Sequence, residues 1–105
     1  MKNTVEATIA GTRRELCLTQ RALYKLEKHT GKPVTETLDA LTAGSYSAFV
    51  DVIWAARLHA EPRLKPEAVA DEIPFSDLAR VAEELVGLFE SMAPAVEEED
   101  DEGNG

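Results

Sequence analysis

His29, His59, Cys17 and the adjacent pairs Asp71/Glu72 and Glu83/Glu84 are the side chains here whose types could support proton transfer, metal binding or nucleophilic attack. The two histidines stand far apart, with no Cys-rich or His-x-x-x-His spacing around them, so no metal-ligand pattern forms. His29 falls in the last turn of an expected helix, where an imidazole interacts well with the C-terminal dipole; capping or plain exposure is the expectation for both. Cys17 has no neighbouring histidine, and a thiol needs thiolate character to react. It alternates with Leu16 and Leu18, as a partly exposed strand residue would. Neighbouring carboxylates on a helix point in different directions, so neither pair converges on one substrate atom, and both are expected on solvated faces. Catalysis is not expected, and no catalytic, cofactor-binding or metal-ligating residue is assigned.

Binding chemistry is better represented. Arg21, Lys25, Lys28 and Lys32 recur at i, i+4, i+7 and i+11, which places four cations on one side of a helix and its exit. Arg13 and Arg14 precede them in sequence. A solvated helix face explains the spacing, and so does a docking stripe for an acidic partner or for the chain's own acidic end. Tyr46, beside Gly44 at a helix start, suits either local packing or an interface, where aromatic residues are enriched. Trp54 is in phase with Phe49, Val50 and Ile53, which favours the core.

Length and charge narrow the class. With 105 residues the chain fits one small domain, and its 44% apolar and 30% charged composition is that of an ordinary water-soluble protein. The longest apolar run, residues 52–56, is far too short to span a bilayer, and the N-terminus lacks the apolar stretch of a signal peptide. A single cysteine forms no internal disulfide, and together these points favour the cytoplasm. The net charge of −9 is asymmetric: residues 1–35 carry seven Lys/Arg and three Glu, whereas residues 36–105 carry four Lys/Arg and seventeen acids. Six of those acids occupy positions 97–102. An acidic chain is repelled by phosphate backbones, which argues against nucleic acid as its main partner.

The elements follow from periodicity. Val5, Ala7 and Ile9 alternate with polar residues, as do Leu16 and Leu18 beyond the turn-like Ala10-Gly11-Thr12, which predicts a β-hairpin with a three-residue loop. Thr19 is the expected N-cap of a helix over residues 20–30, with Leu23 and Leu26 inward and Gly31 as its stop. A short helix is expected after Thr35, with Leu38 and Leu41 inward and Gly44 at its end. Ser45 or Ser47 caps a third helix running to about His59, with Phe49, Val50, Ile53, Trp54 and Leu58 as its buried stripe. Pro66 opens a fourth, with Ala68, Val69 and Ile73 on one side, and Pro74 stops it. Ser76 is the expected cap of the last helix, with the stripe Leu78, Val81, Ala82, Leu85, Leu88, Phe89 and Met92. The expected fold is α+β, an N-terminal β-hairpin followed by a bundle of four or five short helices. One domain covers residues 1–94, and residues 95–105 are expected to form a disordered acidic C-terminal tail.

The order hairpin, the helix Leu18-Thr-Gln-Arg-Ala-Leu-Tyr-Lys-Leu-Glu-Lys-His-Thr-Gly31, then Leu38-Asp-Ala-Leu41, then Phe49-Val-Asp-Val-Ile-Trp-Ala-Ala-Arg-Leu-His59 resembles the small tail assembly chaperones of long-tailed phages. The resemblance is strongest to the form found in phage-like gene transfer agents. In that family a hairpin leads into a helix with a Leu-x-x-Leu-Glu-x-x-x-Gly stretch, here residues 23–31. A segment like Leu/Ile-Trp-Ala-x-Leu follows, here Ile53-Trp54-Ala55-Ala56-Arg57-Leu58 with one residue more before the leucine, then a short proline- and acid-marked helix and a closing Leu/Val-rich helix. The similarity covers roughly residues 5–92 and rests on core and turn residues. It implies a non-catalytic chaperone that coats the hydrophobic tape measure protein, helps recruit tail tube subunits and leaves before the tail matures. Many relatives also make a longer frameshifted product. The implied partners are the tape measure and tail tube proteins, together with self-association, and neither nucleic acid, membrane, small-molecule substrate nor cofactor is expected. Arg21, Lys25, Lys28, Lys32 and Tyr46 are the candidate partner-binding residues. A small acidic adaptor or regulatory module is the alternative, and a helical DNA-binding domain using the cationic stripe is a more distant one.

Overall fold

Alternation at Val5, Ala7 and Ile9 produces strand β1 (Thr4–Ile9), which pairs antiparallel with β2 (Thr12–Cys17) in the register Ile9↔Thr12 and Val5↔Leu16. These relations come from a computed structural model that describes residues 3–92. The expected acidic tail lies outside the described residues.

Thr12 is a ladder residue rather than part of the loop, so the turn is Ala10-Gly11 alone, with φ values of 52° and 82°. Two consecutive positive φ angles match the handedness of a two-residue hairpin turn to the twist of its strands, which is why the shorter connection wins. Gly11 adopts this conformation freely, whereas Ala10 carries a Cβ there at a cost of about 1 kcal/mol. The Asp77 carboxylate accepts the Ala10 N–H at 2.9 Å and secures the turn from the far end of the chain.

Helix α1 (Gln20–Thr30) starts where Thr19 Oγ1 accepts the Ala22 N–H, and it stops at Gly31 with φ 73°. Leu26 and Ala22 are buried, and Leu23 is half-buried. Helix α2 (Val34–Thr42) begins at Pro33 rather than after Thr35. Proline offers no side-chain cap, and Glu27 of α1 supplies one: its Oε2 accepts the Val34 N–H at 2.7 Å. Thr37 and Leu41 face the interior, with Leu38 half-buried beside them.

Helix α3 (Tyr46–Arg57) is capped by Ser45, not Ser47, and ends two residues earlier than His59. Almost its whole circumference is buried from Ala48 onward, because it packs against α1, α2, β2, helix α4 (Pro66–Glu72) and helix α5 (Leu78–Met92). Trp54 belongs to this core and its indole N–H donates to the Leu64 carbonyl at 2.7 Å. On α4, Val69 and Ile73 are buried as expected, one turn apart, while Ala68 is rotated out into solvent.

A single 3-10 turn, Phe75–Asp77, leads directly into α5 (Leu78–Met92), so Ser76 is an exposed turn residue and not a cap. The expected stripe of α5 is buried or half-buried throughout. Its core face meets β1, and the hairpin's other strand meets α3, so the apolar face of the hairpin is covered by helices. The architecture is α+β, a β-hairpin followed by five helices. No helix among the described residues is long and apolar enough to cross a membrane.

Candidate functional site

Helix α5 carries more apolar surface than the core uses. Val81, Leu85, Leu88 and Phe89 point inward. A second face, at positions 79, 82, 83, 86, 87 and 90, lines an open groove of about 590 Å3 between α5 and α2. Leu41 of α2 and Ala82 lie buried at its base, Leu78 and Val86 form half-buried walls, and Thr42, Gly44 and Ala79 complete it. Glu83 and Glu90 stand exposed on its edge. Gly87 faces open space, since a Cβ built there would meet nothing within 4 Å. The same glycine lines a smaller notch with Thr4, Val5, Glu84, Leu88 and Ser91 on the β1 side.

The candidate cations of α1 are where their spacing predicted. Arg21, Lys25, Lys28 and Lys32 are all exposed. Among the described residues Arg21 and Lys25 have no ion-pair partner, and Lys28 Nζ sits 5.8 Å from the centre of the exposed Tyr24 ring. Lys32 lines a polar pocket with His29, Ser45 and Asp51. Tyr46 is engaged elsewhere. Its hydroxyl donates to the Ile73 carbonyl at 2.6 Å, and its ring lies between Phe49 and Phe75, tying the start of α3 to the end of α4. None of these contacts involves the α1 cations.

The chemistry-bearing side chains are mostly structural. His29 stands exposed in the last turn of α1, as expected, and it also makes contacts of its own: its Nε2 lies 3.1 Å from Asp51 Oδ1, and its ring leans on Trp54 at 5.1 Å. Burial pushes the Asp51 carboxyl above its ordinary 3.8, against the opposing attraction of His29 and Lys32. His59 Nδ1 is 3.1 Å from the Ala56 carbonyl, and its Nε2 is 3.5 Å from Glu15. Cys17 is half-buried and its sulfur accepts from Thr4 Oγ1 at 3.6 Å.

Glu72 corrects the solvated-face expectation for its pair. It lies 3.1 Å from Arg57 and 3.6 Å from Arg14, whereas Asp71, Glu83 and Glu84 are exposed. Arg57 also forms a two-pronged contact with Glu61, completing a cluster of two cations and two acids. Among the described residues no three His, Cys, Asp or Glu side chains are grouped to hold a metal ion. The arrangement presents two surfaces for another macromolecule, an apolar groove edged by acids and a separate cationic helix face.

Sequence reasoning reached the second surface and missed the first. Leu41, Leu78 and Ala82 were assigned wholly to the core, and Val86 and Gly87 fell outside the expected stripe. The available signal was an apolar arc on α5 too wide for one buried face. The chain matches no family model, no curated protein and no solved structure.

Proposed function

We propose that this protein is a tail assembly chaperone of the long-tailed phage type, which binds the tape measure protein and helps recruit tail tube subunits in the cytoplasm of a bacterial host. The observation that carries the reading is the order of segments. A hairpin precedes α1 with its Leu23–Gly31 stretch, then a short helix, then α3 with its Ile53–Leu58 segment, then a proline-opened helix and a closing amphipathic one. That order resembles the family over nearly all of the described residues.

The physics supports the same reading. A long helical protein exposes apolar surface until its tube surrounds it, and a small module with an open groove can cover such surface by taking up one helix face. The net charge of −9 would keep the covered assembly in solution. A second reading, a small adaptor that docks an acidic protein, is favoured by the exposed cations of α1.

Co-expression separates them. A tape measure protein encoded beside this chain should move from the insoluble to the soluble fraction when the two are made together, and should co-purify. If it stays insoluble while an unrelated chaperone rescues it, the tail-chaperone reading is wrong.

A further inference from the structure

The groove beside α5 makes a specific demand on what fills it. Its lining along α5 runs from Leu78 to Glu90, a length of about 18 Å or just over three helical turns. Its floor is apolar and shallow, so the occupant must present a ridge of apolar side chains of about that length. Its edge is acidic, with Glu83 and Glu90 on the groove and Glu84 on the adjoining notch. Gly87 lies between groove and notch, and glycine inside a helix is less favourable than alanine. The fold itself does not require it, because the space above it is open. A helix crossing α5 at this point could approach the backbone more closely than any side chain would permit.

From this geometry we infer that the α2–α5 groove docks one amphipathic helix of another protein, with lysines or arginines flanking its apolar ridge. The docked helix is defined by its chemistry, whichever protein supplies it. Other occupants fit less well. A second copy could offer its own α5 face, but that would set its Glu83 and Glu90 against these acids, and its exposed large apolar side chains, Tyr24 and Phe75, sit on different elements. The acids at positions 97–102 would be repelled by Glu83, Glu84 and Glu90. A nucleic acid backbone meets the same repulsion.

The test uses the full chain and two synthetic helices of roughly 20 residues, long enough to be helical in water. Both carry the same Leu/Ala ridge; one is flanked by lysines, the other by glutamates. Fluorescence anisotropy at low salt should show the lysine peptide binding at least about five-fold tighter, and the preference should shrink as salt rises. Glu83→Lys with Glu90→Lys should reverse the preference. Gly87→Leu should weaken the lysine peptide at least about ten-fold without lowering the melting temperature, since leucine is the better helix former. Gly87→Ala, which adds little bulk, should lie between wild type and Gly87→Leu in affinity while melting no lower than wild type. Failure of both peptides to bind, equal binding of the two, or unchanged affinity in Gly87→Leu would each overturn the proposal. None of these outcomes bears on the co-expression result, so the site and the chaperone reading fail separately.

Discussion

Arg57 lies at the centre of the charge cluster, and its removal should be tolerated far better than removal of its partners. The residue is only 3% exposed, with its Nε and Nη2 on Glu61 at 2.9–3.0 Å and its Nη1 on Glu72 at 3.1 Å. The two glutamate side chains retain 39% and 34% of their exposure, so water reaches them. Taking out the arginine leaves acids that can rehydrate, whereas taking out the acids leaves a buried cation. Arg57→Met, which keeps the volume of the stem, should change stability by about 1 kcal/mol or less. The double variant Glu61→Ala/Glu72→Ala should lose about 3–5 kcal/mol, a large share of the roughly 5–13 kcal/mol expected for a domain of this size. Adding Arg57→Met to that double variant should restore most of the loss, because the unpaired charge is then gone. Urea unfolding followed by the fluorescence of the single tryptophan, Trp54, measures all three. If Arg57→Met proves worse than the double variant, or if the triple variant stays as unstable as the double, burial of the cation does not govern this cluster.

Three further outcomes follow from particular contacts. Trp54→Ala should cost about 3–5 kcal/mol, read by the same urea titration with far-UV circular dichroism; native Trp54 emission at the wavelength of an exposed indole would contradict its place in the core. Ala10→Asn should raise stability by about 0.5–1 kcal/mol in thermal melts, because asparagine tolerates the positive φ that strains alanine. Asp51 has its folded pKa raised above 3.8, so the folded state holds its proton to higher pH than the unfolded state does. Its contribution to stability therefore falls as pH rises through the interval from 3.8 to the raised value. Relative to Asp51→Asn, the wild type should be less stable at neutral pH than in acid, and a constant difference across that range would contradict the assignment.

What could be read in the sequence was local. Period-two alternation located the hairpin, 3.6-residue periodicity located the helices, and Thr19, Gly31 and Ser45 marked ends that depend only on their neighbours. The misread ends are those completed from elsewhere. Pro33 starts α2 because Glu27 of the preceding helix caps it, and the tight Ala10-Gly11 turn is held by Asp77, which arrives only after the whole chain has folded back. Glu72 looked solvated for the same reason, since its partners are Arg57 and Arg14 on other elements. Exposure of the α1 cations was legible, because a helix face with four Lys/Arg has nowhere else to go. The groove was not legible. It exists only because α2 and α5 lie side by side, and periodicity gives no pairing between helices.

The measurement closest to the central claim is an amide NMR titration of the isotope-labelled chain with a soluble helical segment of its proposed partner, a phage tape measure protein. Shift changes should cluster on Leu41, Leu78, Ala82, Val86 and Gly87, in saturable proportion to added segment. An unchanged spectrum would contradict the chaperone reading, and changes confined to Arg21, Lys25, Lys28 and Lys32 would contradict the groove as the docking site.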